Sequence, residues 1–273
     1  MPAPTQSEKA QAFRRLHEEP GYFVIPNPWD GASARILEGL GFRALATSSG
    51  AAAGTLGKRD GELTRQESID HCRLIASSTS LPVSGDLERC FADDPKEAAE
   101  TIRLAAEAGL VGGSIEDSTG DPGEPLYDFD FAVERVAAAV EAARALPFHF
   151  TLAARAHNFI GGNADLDETI RRLQAFERAG ADVVFAPGLP DLQAVRAVCQ
   201  SVSKPVNFMV GIPGRSFSVP ELAAAGVKRI SLATSLYKAA LTGFLAAINE
   251  VTEQGTFTYV DRAIATRDLY KYF

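Results

Sequence analysis

The sequence predicts an α/β protein in which eight parallel strands alternate with helices and close into a (β/α)8 TIM-type barrel. Three observations carry that expectation. Short apolar segments recur about every 30 residues, each followed by an amphipathic stretch of helix length, the pattern of repeated βαβ units. Eight such units fit within 273 residues, and a closed barrel of this type runs to roughly 250. Two neighbouring segments end in acids: Leu81–Arg89 (LPVSGDLER) carries Asp86 and Glu88, and Val111–Asp117 (VGGSIED) carries Glu116 and Asp117. The C-terminal ends of barrel strands are where such folds place their chemistry. An open doubly wound sheet fits less well, because no Gly-x-Gly-x-x-Gly follows the first strand.

Composition excludes several classes. With 46% hydrophobic and 23% charged residues, the chain can bury one large core. A net charge of -8 argues against nucleic-acid partners. No apolar run reaches the roughly 18 residues of a membrane span, and MPAPTQSEKAQAFRRL has no signal-peptide core. Cys72, Cys90 and Cys199 are widely spaced, so neither a disulfide framework nor a Cys-x-x-Cys metal site is implied. A soluble, cytoplasmic protein with reduced thiols is expected.

Each element has its own signal. Residues 7–18 read as an amphipathic helix with Phe13 and Leu16 on one side, broken by Gly21. Tyr22–Pro26 is the first strand, and Asp30 can cap a helix that Gly41 ends. Arg43–Ser48 is the second, running into small residues Ser49–Gly54, a loop whose amides can approach a ligand; Asp60 lies further along it. Thr64 and Glu67 form a capping box for a helix to Ser78. The third strand is the Leu81–Arg89 stretch, and Asp94-Pro95 opens the helix that Gly109 closes.

The fourth strand, VGGSIED, exits into residues 118–128 (STGDPGEPLYD), a long Gly- and Pro-rich segment suited to be a lid. A helix over about 131–145 leads to the fifth strand, Phe148–Ala154, which ends in Arg155 and His157. Ala181–Ala186, Pro205–Val210 (carrying Asn207) and Val227–Leu232 are the last three strands, with helices between them. Residues 235–252 and about 258–270 read as additional C-terminal helices.

Acids at adjacent strand ends gather hard oxygen ligands around one point, which suits Mg²⁺ or Mn²⁺. Asp86, Glu88 and Glu116 are the candidate ligands. The plainer readings are a strand-end cap for Asp86, surface acids for Glu88 and Asp60, and arginine pairing for Glu116 and Arg155. His157 reads as an ordinary loop or core histidine, Tyr127 as an anchor holding the lid shut, and Cys90 as an inert buried thiol.

The combination of NPWDGASA (27–34), GTLGKRDG (54–61), Asp86 with Glu88, SIED (114–117) and Arg155 resembles the isocitrate lyase/phosphoenolpyruvate mutase superfamily over residues 20–245. The resemblance implies one barrel domain with Mg²⁺ at its C-terminal face. It also implies cleavage or formation of C–C or P–C bonds beside a 2-oxo acid carboxylate, through an enolate-like intermediate. Homodimers or homotetramers are implied too, with C-terminal helices (about 246–273) exchanged between subunits. Asp60, Asp86, Glu88 and Glu116 fall on the acids of the metal and water shell. Thr47, Ser48, Ser49 and Gly50 fall on the loop that holds the substrate carboxylate. Arg155 falls on the arginine that binds the carboxylate or oxo oxygen, and Asn207 on a substrate-touching position of the seventh strand.

Three departures narrow the reading. The lid lacks the Lys-Lys/Arg-Cys-Gly-His motif of the isocitrate and methylisocitrate lyases, it lacks the Lys and Asn of the phosphonate enzymes, and Arg155 precedes Ala-His where many members have Thr-Asp. The resulting expectation is a Mg²⁺-dependent lyase or hydrolase of a small 2-oxo acid, oxaloacetate decarboxylase-like, with Arg155, Glu116 and Asp60 in catalytic roles. The alternatives are a phosphonopyruvate-type enzyme and a barrel that binds a 2-oxo acid without turnover.

Overall fold

Strands buried on both faces form the centre of the computed structural model, which describes residues 3–273. They are β1 Phe23–Ile25, β2 Leu45–Ala46, β3 Val83–Asp86, β4 Gly112–Glu116, β5 Thr151–Arg155, β6 Val183–Phe185, β7 Val206–Met209 and β8 Arg229–Ser231. All pairings are parallel, in the order β1-β8-β7-β6-β5-β4-β3-β2. Around them lie α1 Gln6–Glu18, α2 Gly31–Gly39, α3 Ser49–Thr55, α4 Arg65–Ser78, α5 Pro95–Glu107, α6 Phe129–Arg144, α7 Leu166–Arg178, α8 Leu192–Ser201 and α9 Val219–Ala224. The C-terminal region adds α10 Ser235–Gln254 and α11 Thr266–Leu269. This is the expected (β/α)8 barrel, nearly closed.

The seam between β1 and β2 is the weak point of the cylinder. One backbone bond crosses it there, from the Ala46 N–H to the Pro26 carbonyl at 3.0 Å. Asn27, buried at 4% exposure, completes the closure. Its Nδ2 donates to the Thr47 carbonyl at 2.8 Å, and its Oδ1 accepts from the Leu232 N–H at 2.9 Å. One amide side chain therefore joins the exits of β2 and β8 around the end of β1.

The floor is closed by α1. Phe13 is fully buried against Gly112, where a Cβ would lie 2.8 Å from its ring and 2.7 Å from the Thr151 carbonyl. Above it the guanidinium of Arg229 reaches from β8 across to Ser84 on β3, with Nη2 3.5 Å from Oγ. A buried arginine thus lies inside the barrel above the apolar floor of Phe13, Phe23 and Ile25.

The caps expected at Asp30, Thr64 with Glu67, and Asp94 with Pro95 are present. Three expectations need correction. The strands are shorter than read, β2 having only two residues. Residues 49–54 are not a loop: they lie in α3, because Ser48 caps the turn by accepting from the Ala51 N–H and the alanines favour helix. Residues 258–270 are not one helix but a 3-10 turn at Thr258–Arg262, α11, and a further 3-10 turn at Tyr270–Tyr272. None of these short pieces contains a buried residue whose packing could extend it. Among the described residues no helix is long and apolar enough to cross a membrane.

Replacing Asn27 by Ala orphans a buried N–H and a buried carbonyl. The expected loss is about 1–3 kcal/mol for each unsatisfied group, read as a lower urea midpoint. An unchanged midpoint would mean that the seam holds without this side chain.

Candidate active site

The sheet register assembles the site. β4 and β5 pair Glu116 with Arg155, and β3 and β4 pair Asp86 with Ser114. Residues directly across a parallel ladder project to the same side. Glu116 and Arg155 therefore meet as an ion pair, Nη1 to Oε2 at 3.0 Å. Asp86, Glu88, Glu116, Asp60, Arg155 and Ser49 all line one cavity of about 590 Å³ at the C-terminal end of the barrel. The acids of distant segments converge there as the sequence predicts.

The serine loop sits against them differently from the expectation. Ser49 donates both its N–H and its hydroxyl to Asp86 Oδ2, each at 3.0 Å. The Thr47 hydroxyl accepts from the Asp86 N–H at 2.9 Å. Both residues brace Asp86. Ser48 lines the cavity while capping α3. Gly50 leaves room for Asp60: a Cβ there would stand 3.0 Å from Asp60 Oδ2. Asn207 lies deeper, on a cavity of about 50 Å³ shared with Asp86, Arg155 and Arg229. Its Nδ2 donates to Ser231 Oγ at 3.2 Å, and its Oδ1 has no partner.

Burial and mutual repulsion set the electrostatics. Burial pushes the Asp86 carboxyl up, with Arg155 acting against it and Glu116 adding to it. Glu88 is pushed up to about 8 by burial first, then by the charges of Asp86, Glu116 and Asp60. Burial would also raise Glu116, but Arg155 and His157 outweigh it and hold the carboxyl down to about 2. Glu88 Oε1 is buried without a hydrogen-bond partner. Five acids, Asp60, Glu62, Asp86, Glu88 and Glu116, thus line one cavity, with Arg155 paired to Glu116, a donor set that is hard and predominantly anionic.

A divalent cation of the Mg²⁺ class fits that set. Among the described residues no three His, Cys, Asp or Glu side chains form a ready-made metal cage. Mg²⁺ does not need one, since it keeps several waters and takes only one or two carboxylates.

Asp117, next to Glu116, turns away. It is buried at 2% exposure, pairs with Arg172 at 3.1 Å, and accepts the His157 N–H at 2.7 Å. Arginine pairing thus occurs at both acids, with different partners. His157 corrects the sequence reading, because it is not an ordinary loop or core residue. Its ring lines the cavity, with Nδ1 3.7 Å from Glu116 Oε2. Arg89 and Lys238 also line the cavity and were missed. Each follows the exit of a strand, Arg89 after β3 and Lys238 after β8. That position is the signal the sequence offers for both.

The lid is a small hairpin. Ser118 and Leu126 pair as an antiparallel bridge, and the Tyr127 N–H donates to the Asp117 carbonyl at 2.9 Å. Tyr127 does not line the main cavity. Its hydroxyl donates to Asp93 at 2.5 Å, as an anchor would. Cys90 is fully buried, and burial pushes its thiol up to about 12, so it is inert as expected. The turn that carries it is strained: Glu88, Cys90 and Phe91 have φ of 50°, 60° and 57° without being glycine. Each such residue costs about 1–2 kcal/mol, the kind of strain that collects at functional sites.

The raised Glu88 carboxyl has a testable sign. Between the ordinary carboxylate range and about 8, the folded protein binds a proton that the unfolded chain does not. Stability of the metal-free protein therefore falls as pH rises through that window. Melting temperature against pH should slope downward for wild type and flatten in Glu88→Gln. Equal slopes would show that Glu88 does not carry the effect.

Comparison with known proteins agrees with this geometry. The family model described as phosphoenolpyruvate phosphomutase matches residues 13–252. A provisionally assigned lyase/mutase from Burkholderia cenocepacia J2315 is 51% identical, covering 98% of this chain and 97% of its own, with a TM-score of 0.96. A provisionally assigned phosphonomutase from the same organism is 33% identical, covering 92% and 100%, with a TM-score of 0.82. The 2-methylisocitrate lyase of Escherichia coli (strain K12) is 27% identical over 272 residues, covering 96% of this chain and 90% of the relative. With its barrel, its strand-end acids and a family match over most of its length, the chain belongs to the phosphoenolpyruvate phosphomutase family, within the isocitrate lyase/phosphoenolpyruvate mutase superfamily.

Proposed function

We propose that this protein is a Mg²⁺-dependent carbon–carbon lyase or hydrolase that cleaves a C–C bond of a small 2-oxo acid through an enolate-like intermediate, with oxaloacetate the first substrate to test. The observation that carries the reading is the convergence of Asp86, Glu88 and Glu116 on one cavity beside Arg155. The likeness to a 2-methylisocitrate lyase supports C–C chemistry.

Asp86, Glu88 and Glu116 would hold the cation, directly or through water. When bound, it supplies Lewis-acid withdrawal of charge from the substrate's oxo oxygen. Arg155 is placed to donate to the substrate's carboxylate or oxo oxygen. Its Nη1 is engaged by Glu116, while its Nε is buried without a partner. The guanidinium keeps further N–H groups on its two terminal nitrogens, and its planar fork suits planar oxyanions. Ser48 and Ser49 line the same cavity, Ser48 capping α3 and Ser49 holding Asp86 in place. Asp60 completes the acid wall against Gly50. Proton return does not require a lid cysteine. His157, beside Glu116, puts a protonatable ring on the wall.

One observation favours a second reading. Arg89 and Lys238 bring cations to the cavity that the lid itself lacks, and a phosphonate dianion would pair with them. The likeness to a phosphonomutase supports this P–C alternative.

The purified protein should release pyruvate from oxaloacetate with Mg²⁺ faster than Mg²⁺ alone. Arg155→Ala should lower the rate about 10²–10³-fold, the size of losing one transition-state donor, and Asp86→Ala should lower it by weakening the hold on the cation. Wild type equal to the blank would sink the decarboxylase reading. Oxalate and acetate in place of pyruvate would mark the hydrolase, turnover of phosphonopyruvate instead would favour the second reading, and silence on all three with retained oxaloacetate binding would mark a non-catalytic barrel.

Association with further copies of the chain belongs to the same proposal. None of the 20 residues of α10 is buried, and Phe244, Leu245 and Ile248 are 60%, 56% and 44% exposed. Such an apolar face is a mark of a protein interface. Sedimentation should give a dimer or tetramer, and Phe244→Asp with Leu245→Asp should shift it to smaller species. A monomeric wild type would overturn this.

A further inference from the structure

Arg135 on α6 is a cation with no acid beside it and no place on the cavity. It is among the largest fully buried side chains, at 1% exposure. Its guanidinium is spent on main-chain carbonyls of a single turn. Nη1 donates to the Ala92 carbonyl at 2.6 Å and to the Asp93 carbonyl, and Nη2 donates to the Arg89 carbonyl at 2.5 Å. That turn follows β3 directly and contains the three left-handed non-glycine residues Glu88, Cys90 and Phe91.

The same guanidinium also serves the lid. Its carbon lies 4.3 Å from the centre of the Tyr127 ring, close enough for a cation–π contact. The Tyr127 hydroxyl returns to the turn by donating to Asp93. One arginine side chain therefore touches the turn that presents Glu88 and the residue that ends the lid hairpin.

We propose that Arg135 is a positioning residue of the active site: it clamps the strained 88–93 turn, so that Glu88 faces the acid cluster, and ties that turn to the base of the lid through Tyr127. Left-handed backbone at three L-residues relaxes unless the surroundings hold it. Here the holding groups are the Arg135 fork, the Thr101 hydroxyl donating to the Cys90 carbonyl at 2.7 Å, and the Cys90 N–H donating to the Leu87 carbonyl at 2.8 Å. Of these only Arg135 reaches both the turn and the lid. The fork geometry matters: a lysine keeps the charge but cannot serve three carbonyls from one plane. The role assigned to Glu88 rests on the function proposed above, while the clamp itself does not.

Cys90 reports on the turn without reference to any substrate. In a Cys199→Ala background, Arg135→Lys should raise the rate of Cys90 labelling by a thiol reagent at least tenfold, with circular dichroism unchanged and Cys72 still protected. Val198→Ala, a core change on α8, serves as the control for general destabilisation and should leave Cys90 protected. Tyr127→Phe, which removes only the bond to Asp93, should give a smaller rise and stands in if Arg135→Lys fails to fold. Mn²⁺ affinity followed by electron paramagnetic resonance should weaken in Arg135→Lys, with kcat falling more than KM rises. Cys90 that stays protected in Arg135→Lys and in Tyr127→Phe, or that opens equally in Val198→Ala, overturns the proposal even if turnover is normal. If no substrate is turned over, a Cys90 protected in wild type and exposed in Arg135→Lys still supports the clamp, so failure of the two readings is told apart.

Discussion

Five acids cannot crowd one cavity unless positive charge comes to meet them. Asp60, Glu62, Asp86, Glu88 and Glu116 do share one, and much of the surrounding structure answers to that constraint. The β4–β5 register sets Arg155 against Glu116, which keeps one acid ionised at the expense of burial. Ser49 and Thr47 spend their polar groups on Asp86. Glu88 has neither kind of help, so its carboxyl rises. An arrangement left this far from balance is sensible for a site completed by a cation and an anionic substrate that bind together.

The scaffold holds this arrangement through polar contacts as much as through apolar packing. Asn27 closes the barrel where β1 and β2 scarcely pair. Arg229 occupies the axis beneath the acids, and burial lowers its guanidinium to about 10 while Asp86 supports its charge. Burial first, and then the Arg229 charge, holds His17 below it down at about 3 and hence neutral. Arg172 fixes Asp117 and the chain before α6, and Arg135 fixes the turn after β3. Three buried arginines thus make a framework in which backbone carbonyls and acids are held at defined places, and small errors there would reach the cavity directly.

The hairpin over 118–128 adds little to the cavity wall. It contributes Ser118 and Gly120 to the cavity, and no thiol. The polar groups that face the space from elsewhere, His157, Arg89 and Lys238, come from strand exits and from α10. The titratable and cationic side chains on the cavity wall therefore come from the barrel and α10 rather than from the hairpin.

Much of this was legible in the chain itself. Strand periodicity, helix caps at Asp30, Thr64 and Asp94, and acids at the ends of β3 and β4 depend on neighbours two to four residues away, so sequence alone determined them. The helix over Ser49–Thr55 was local too, yet its small residues read equally as a loop. What the sequence could not decide was partner choice. Whether Glu116 or Asp117 faces the cavity depends on which of Arg155 and Arg172 arrives from β5 and α7. His157 becomes a site residue only because Asp117 holds its backbone beside Glu116. Arg135 belongs to the site only because α6 lays it under a turn more than 40 residues earlier. Those contacts are long-range, and only the tertiary structure sets the distances over which charges, dipoles and hydrogen bonds act.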